Sequence, residues 1–194
     1  MNCLITATDT DAGKTYITRR LLEALRADGR HVAGYKPFCC GARNDVIELQ
    51  QGGDPELSQD AINPLWMKTP AAPLVACMFE NVSIDTEALL QGYRDLASNY
   101  GHGLVEGAGG WEVSIRQNYN FSDFASELGL PVILVVNNKL GALNHTLLTL
   151  KAIQAKGLEC IGMIFNHPAD EQSTATITNK GVMESLTDVP VLTD

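Results

Sequence analysis

The sequence has no apolar run of the ~18 residues that a membrane-spanning helix requires. Residues 1–9 lack the basic and apolar segments of a secretory signal peptide, so we expect a cytoplasmic protein. The 5 cysteines are odd in number and none lies in a C-x-x-C spacing, which argues against a disulfide framework and against a structural zinc site. We expect most of them to be buried free thiols.

Basic residues are scarce in comparison with acidic residues. The chain has 14 lysines and arginines against 23 aspartates and glutamates, which gives a formal net charge of −9. An acidic surface repels the phosphates of nucleic acids and of anionic lipids, so we expect neither nucleic acid nor a membrane as the main partner. A small anionic ligand in a local positive pocket stays open.

The length of 194 residues and the hydrophobic content of 45% predict a single domain over residues 1–194 with a buried core. Short apolar runs predict strands at 3–7, 31–35, 103–106, 131–136 and 160–165. Amphipathic stretches predict helices at 14–27, 83–99 (with Ser83 as N-cap), 121–128, 144–156 and 173–185. A turn is expected at 52–55 and a surface loop at 63–64 and 70–73. The alternation predicts an α/β fold in which a parallel sheet carries helices on both faces.

Polar and glycine-rich clusters follow the predicted strands. They lie at 8–15, 36–45, 106–111, 137–144 and at Asn166. Ligands of open parallel sheets bind at the carboxyl ends of the strands. Five clusters in these five places therefore predict one functional site at that edge of the sheet.

The first cluster ends in Gly13, Lys14 and Thr15 at the start of a predicted helix. A phosphate group needs backbone N–H donors, a cation and a helix N-terminus, and a threonine hydroxyl there can bind Mg²⁺. The usual phosphate-binding loop begins with a glycine, but Ala7 stands before Thr8 in this chain. An ordinary helix N-terminus is the alternative.

Two further clusters each place a charged side chain at a strand end. Lys36 is either a second cation for an anionic intermediate or a solvated lysine. Glu106, followed by Gly107 and two more glycines, is either a second Mg²⁺ ligand or the edge of a glycine-rich turn.

The clusters together resemble a known family. The matching stretches are T-D-T-x-x-G-K-T at 8–15, G-Y-K-P at 34–37, R-N-D at 43–45, V-E-G-A-G-G-W at 105–111, P-V-I-L-V-V at 131–136 and K-L-G-x-x-N-H at 139–145. They occur in the order of the dethiobiotin synthetase family and span residues 4–166. The two stretches in which the chain is most specifically similar to this family are V-E-G-A-G-G-W at 105–111 and K-L-G-x-x-N-H at 139–145.

The resemblance implies a P-loop NTPase-like enzyme of biotin biosynthesis. One amine of 7,8-diaminopelargonate takes up CO₂ (supplied as bicarbonate) as a carbamate, and ATP phosphorylates it to a mixed anhydride. The neighbouring amine then closes the cyclic urea of dethiobiotin. The family also implies Mg²⁺ as cofactor and a homodimer with the substrate site at its interface. The chemistry is phosphoryl transfer by positioning and charge neutralisation.

The resemblance also assigns roles to residues. Those implied in catalysis are Lys14, Lys36 and Thr10. Those implied for the nucleotide are Asp11, Ala12, Gly13, Lys14, Thr15, Tyr16, Glu106, Gly109 and Asn166, and those for Mg²⁺ are Thr15, Asp45 and Glu106. Those implied for the substrate are Lys36, Cys40 and, from the second subunit, Gly141, Ala142, Leu143 and Asn144.

The chain departs from the family in several places. Ala7 replaces the leading glycine, Asp11 a usual glutamate, and Cys40 a usual substrate-contacting serine. The sequence ends at Asp194, where the family usually continues through a segment that packs on the nucleobase, so we expect loose selection of the base.

Three other functions stay open at this point. One is another ATP-dependent ligase that activates a carboxylate or carbamate, such as the cobyrinic acid amidating enzymes. Another is a nucleotide-switched interaction protein of the MinD type, although its additional loop lysine is missing between Thr8 and Ala12. The last is a relative that binds nucleotide without turnover.

Overall fold

A computed structural model describes residues 1–168 and 172–192. The strands are β1 (Cys3–Ala7), β2 (Val32–Tyr35), β3 (Phe38–Cys40), β4 (Leu65–Met67), β5 (His102–Glu106), β6 (Ser114–Arg116), β7 (Tyr119–Asn120), β8 (Val132–Asn137), β9 (Cys160–Asn166) and β10 (Val191–Leu192). The helices are α1 (Lys14–Ala27), α2 (Asn44–Gly52), α3 (Gln59–Ile62), α4 (Pro73–Glu80), α5 (Thr86–Tyr100), α6 (Phe121–Leu128), α7 (Ala142–Ala155) and α8 (Thr174–Leu186). Across these two ranges no helix is long and apolar enough to cross a bilayer.

The central sheet has six strands in the order β10-β9-β8-β1-β5-β2, and every pairing in it is parallel. β1 is an inner strand, because Leu4 lies opposite Val105 of β5 on one side and Val132 of β8 on the other. The chain runs from β1 to β2 on one side and later to β8 on the other. The carboxyl end of β1 is therefore the point where the strand order reverses, which is where open α/β sheets bind ligands.

Side chains that alternate along the strands build two apolar layers. Cys3 and Ile5 of β1 pack with Ile17 of α1 and Leu49 of α2 on one face. Leu4 belongs to the layer on the other face, which contains side chains of α5, α6, α7 and α8. The prediction of a parallel sheet with helices on both faces is confirmed, and that residues 1–194 form one domain stays a prediction.

Most predicted elements agree with the structure to within about two residues. The helices predicted at 14–27 and 121–128 coincide with α1 and α6. Ser83 as an N-cap is wrong, because α5 begins at Thr86 and the carboxylate of Asp85 accepts the bond from the N–H of Ala88. An aspartate that meets the third amide after it is a better cap than a serine two residues earlier.

The segment between residues 36 and 80 contains more structure than the sequence predicts. β4 lies between the two stretches expected as a surface loop, 63–64 and 70–73, and α4 begins at the last residue of the second stretch. The sequence does not predict β3, β4, α2, α3 or α4. These strands are only three residues long and pair with each other, Cys40 opposite Met67. Pro73 begins α4 instead of interrupting a loop, because a helix tolerates proline in its first turn.

The five cysteines are free. Cys3, Cys39 and Cys160 are buried, while Cys40 and Cys77 are half-buried. The expectation that most of them are buried thiols is confirmed for these three.

Candidate active site

The loop between β1 and α1 has the shape of an anion-binding site. Gly13 precedes α1 with a φ of +93°, a conformation that favours glycine. A Cβ atom at Gly13 would lie 2.0 Å from Nδ2 of Asn166, so a larger residue would displace the Asn166 side chain from the loop. Nδ2 of Asn166 donates to the carbonyl of Ala12 at 2.9 Å and so holds the loop from the end of β9. The first amides of α1 then point to the ligand side of the loop.

Lys14 is the buried cation of this loop. Its side chain is among the buried charged residues, at 7% exposure, and its ammonium donates to the carbonyl of Asp9 at 3.4 Å. Burial, reinforced by the charge of Lys36, lowers the pKa of Lys14 to about 8. A phosphate group would relieve this cost, because an opposite charge favours the ammonium form.

Lys36, at the end of β2, is held between two carboxylates. Its Nζ donates to Oε1 of Glu106 at 2.5 Å and to Oδ2 of Asp45 at 2.7 Å. Burial alone would lower the pKa of Lys36, but the charges of Glu106 and Asp45 outweigh burial and raise that pKa. The alternative of a solvated surface lysine is wrong, because the side chain is only 4% exposed.

The oxygen atoms of Thr15, Asp45 and Glu106 lie together. Oγ1 of Thr15 donates to Oε1 of Glu106 at 2.8 Å, and the ammonium of Lys36 joins Glu106 to Asp45. Burial would raise the pKa of Asp45, but the charge and hydrogen bond of Lys36 outweigh it and lower that pKa, so the carboxylate is ionised at neutral pH. Within the described part of the chain, Oε2 of Glu106 is buried without a hydrogen-bond partner.

These donors fit Mg²⁺. The ion takes oxygen ligands and is usually bound in proteins by one or two carboxylates together with substrate phosphates. Two carboxylates, one of them with an unpartnered buried oxygen, and a hydroxyl meet that requirement beside the phosphate loop.

Two adjoining cavities open at this edge of the sheet. The first, about 330 Å³, is lined by Thr10, Asp11, Gly13, Lys14, Thr15, Lys36, Asp45 and Gly109. The second, about 580 Å³, shares Thr10, Asp11, Lys36, Asp45 and Gly109 with the first. It continues along Phe38, Cys40, Val113 and the small side chains of 70–73. One end of the combined space is therefore charged and the other is mostly apolar.

Cys40 lies in the wall of the second cavity. Its burial raises the pKa of the thiol to about 11, with smaller contributions from neighbouring thiols. The thiol is therefore neutral at physiological pH, and a neutral thiol is a weak hydrogen-bond donor.

The predicted substrate-binding segment at the start of α7 stands apart from both cavities. Gly141 precedes the helix with a φ of +91°, Ala142 is buried, Leu143 is half-buried, and Asn144 is exposed. As far as residues 1–168 and 172–192 form them, the linings of the two cavities do not include 141–144. Just before this segment, Nζ of Lys139 lies 4.0 Å from Oδ2 of Asp9 in the phosphate loop.

Two predicted nucleotide-binding residues have other surroundings. The hydroxyl of Tyr16 accepts from Nη1 of Arg20 at 3.0 Å, and its ring faces a different groove along α1. Only the backbone of Tyr16, in the first turn of α1, remains near the loop. Asn166 contacts the loop itself, and its role toward a nucleobase stays a prediction.

Sequence reasoning missed Asn63 and the cavity wall at 70–73. Asn63 is 1% exposed and its Nδ2 donates to the carbonyl of Lys36 at 2.7 Å. The only sequence signal was an asparagine-proline pair, which is typical of a turn and was interpreted as part of a surface loop.

Comparisons with known proteins agree with this geometry. A family model described as an AAA domain matches residues 1–194. The ATP-dependent dethiobiotin synthetase BioD of Akkermansia muciniphila is 44% identical over 191 residues, which are 98% of this chain and 90% of that protein. The enzyme of the same name from Aromatoleum aromaticum is 37% identical over 97% of this chain and 87% of that protein.

Solved structures share the fold at low identity. The septum site-determining protein MinD from Pyrococcus horikoshii, complexed with Mg-ADP, has a TM-score of 0.64 and 20% identity, over 98% of this chain and 79% of that one. The signal recognition particle receptor FtsY from Elizabethkingia anophelis has a TM-score of 0.57 and 14% identity, over 98% of this chain and 56% of that one. These likenesses show a P-loop NTPase fold and no more, whereas the sequence relatives show that this chain belongs to the ATP-dependent dethiobiotin synthetase family.

Proposed function

We propose that this protein is an ATP-dependent dethiobiotin synthetase, which joins 7,8-diaminopelargonate and CO₂ into a cyclic urea. The observation that carries the proposal is the pair of adjoining cavities with Lys36 in their shared wall. The charged cavity has the size and donors for the phosphates of ATP. The apolar cavity suits the aliphatic chain of a small diamine, and the reacting groups would meet at Lys36.

The chemistry places negative charge where this chain has cations. A carbamate forms when one amine attacks CO₂ and loses a proton. Its oxygen attacks the γ-phosphorus of ATP, and ADP leaves. The second amine then attacks the carbonyl carbon, the carbon–nitrogen bond forms, and phosphate leaves. Lys14 and Lys36 face the oxygens that carry charge in these steps, and preorganised cations at such positions are worth several kcal/mol.

Mg²⁺ would be held by Thr15, Asp45 and Glu106. When bound, the ion supplies positive charge beside the phosphates. The ammonium of Lys36 pairs with both carboxylates. One positive charge balances only one of the two negative charges, so the pair still favours a second cation.

The substrate carboxylate would dock on a second subunit. Exposed amides at a helix N-terminus bind a carboxylate without a cation, and α7 offers such an end around Gly141 and Asn144. Because α7 does not reach the cavities of its own chain, the active species would be a two-fold dimer with two composite sites.

The experiment is a mass-spectrometric assay of the purified protein with diaminopelargonate, bicarbonate, Mg²⁺ and ATP. We expect a cyclic urea, ADP and phosphate in equal amounts, and none of the urea when bicarbonate or ATP is left out. ADP formation without the urea would replace this proposal by another ATP-dependent ligase. Nucleotide binding without any turnover would indicate an inactive relative.

A further inference from the structure

The contacts of the Lys36 ammonium depend on where its backbone lies, because the side chain reaches Glu106 and Asp45 at once. Its main chain is held on both sides by residues of one short segment. The N–H of Lys36 donates to the carbonyl of Ile62 at 2.8 Å. The carbonyl of Lys36 accepts from Nδ2 of Asn63 at 2.7 Å.

Asn63 also ties this contact to the strand that follows it. The same Nδ2 donates to the carbonyl of Leu65 at 3.0 Å, so one amide group bridges the end of β2 and the start of β4. The side chain is 1% exposed, and in the part of the chain described its Oδ1 is buried without a partner. An unpaired buried oxygen costs free energy, so the two hydrogen bonds of the Asn63 nitrogen are the contribution that this side chain makes here.

Arg43 fixes the segment that carries Asn63. Its Nη2 donates to the carbonyl of Asn63 at 3.1 Å and to the carbonyl of Gln59 at 3.1 Å. Its guanidinium also lies over the ring of Trp66, 5.2 Å from the centroid. The segment therefore has little freedom to move away from Lys36.

We propose that Asn63 is a positioning residue for the ligase reaction, which sets the backbone of Lys36 so that its ammonium stays between Glu106 and Asp45. This proposal rests on the proposed function, since it assigns Lys36 a catalytic role. The linings of the two cavities, as the described residues form them, do not include Asn63. Its effect on the reaction would pass through the main chain of Lys36.

The first test measures where the Lys36 side chain is, without any reaction. Purified wild type and Asn63→Ala are exposed to a limiting amount of an amine-reactive ester at one pH, and labelling of each lysine is followed by mass spectrometry. We expect labelling of Lys36 to rise about tenfold in Asn63→Ala. A lost buried hydrogen bond to the carbonyl of Lys36 raises the fraction of molecules in which its ammonium has left the two carboxylates by about that factor. Labelling of Lys14 should stay within twofold of the wild type.

Gln50→Ala is the matched control. Nε2 of Gln50 donates to the carbonyls of Leu57 at 2.7 Å and Pro55 at 3.4 Å, so it too bridges two carbonyls, but neither is that of Lys36. We expect this variant to lose stability and to leave Lys36 labelling unchanged. Equal Lys36 labelling in Asn63→Ala and the wild type, or an equal rise in Gln50→Ala, would overturn the proposal.

Kinetics give the second readout. In Asn63→Ala we expect kcat for urea formation to fall about tenfold, while KM for ATP changes by less than about twofold because the phosphate loop is untouched. Asn63→Ser keeps one hydroxyl donor and should recover part of both the labelling protection and kcat. It also serves as the test variant if Asn63→Ala does not fold. A wild type that forms no urea would refute the proposed function and leave the labelling result valid.

Discussion

The N-termini of α1 and α7 lie at the same edge of the sheet and have the same local conformation, but their surroundings differ. α1 follows β1 and α7 follows the neighbouring strand β8. Both begin after a glycine of nearly the same conformation, with φ of +93° at Gly13 and +91° at Gly141. Around the first, Asn166 braces the loop and Lys14 is buried. Beside the second, Leu140 is 85% exposed.

The difference shows that the local conformation alone does not make a ligand site. Both turns leave amides of the first helical turn without intrahelical partners. The α1 end is completed within the chain by charged groups from β2, β5 and α2. At the α7 end Leu140 is exposed, and the charged side chain just before it, Lys139, lies 4.0 Å from Asp9 of the phosphate loop. We propose that a second copy completes this end.

Removing the cation from the α1 end should have the largest effect. Lys14→Met keeps the length of the side chain but deletes the charge, and we expect the rate of urea formation to fall by roughly 10²–10³. Steady-state kinetics with unchanged far-ultraviolet circular dichroism would establish this. Turnover of Lys14→Met within tenfold of the wild type would contradict the assignment of the phosphate site to the start of α1.

The same substitution should stabilise the nucleotide-free protein. Burial lowers the pKa of Lys14 to about 8 in the folded state, below its ordinary value of 10.5. Between these values the unfolded chain binds more protons, so the free energy of unfolding rises with pH from about 8 to 10.5. At pH 7 this shift corresponds to a cost on the order of 3 kcal/mol.

Denaturant titrations at pH 7 and at higher pH measure this difference. Lys14→Met should be more stable than the wild type at pH 7, and the advantage should shrink as pH rises. In contrast, Lys36→Met should destabilise the protein, because it leaves Glu106 buried without its ammonium partner. A Lys14→Met variant that is less stable than the wild type at pH 7 would show that burial of the Lys14 ammonium does not destabilise the folded protein.

The metal requirement should change at the α1 end. Asp45→Asn and Glu106→Gln each remove an anionic oxygen, and we expect the Mg²⁺ concentration for half-maximal rate to rise about tenfold in each. A titration of Mg²⁺ at saturating ATP measures it. Unchanged titrations in both variants would assign the two carboxylates to the structural pairing with Lys36 alone.

The smallest effect is expected at the α7 end. Asn144→Ala should raise KM for diaminopelargonate about threefold to tenfold, the range for one lost hydrogen bond, and leave KM for ATP unchanged. Asn99→Ala, at an exposed asparagine on α5, is the control. Sedimentation that shows a fully active monomer would refute a substrate site shared between subunits.

Local patterns predicted the frame of the site, and long-range contacts decided its details. α1 was predicted because Ile17 and Leu22 recur on one face, and both are buried. The site was predicted at the strand ends because polar and glycine-rich clusters follow the apolar runs, and parallel sheets bind ligands at that edge. Lys36 could be interpreted either way, since its burial depends on Glu106, which lies 70 positions further along the chain.

The cavity wall and the surroundings of Asn63 could not be predicted for a related reason. β3 and β4 are three residues long, which is too short to show the alternation of apolar and polar residues typical of a strand. They form strands because they pair with each other. Tyr16 lies next to Thr15 in sequence, but its ring turns toward Arg20 because successive residues of a helix face different directions.

The brace from Asn166 has a consequence for protein synthesis. The side chain that holds Ala12 lies 154 positions after it in the chain, so it is synthesised well after the phosphate loop. Strand β8, which pairs with β1, is also synthesised well after β1. A nascent chain therefore carries the loop sequence before it has the loop geometry, and we expect nucleotide capture only after Asn166 has been synthesised.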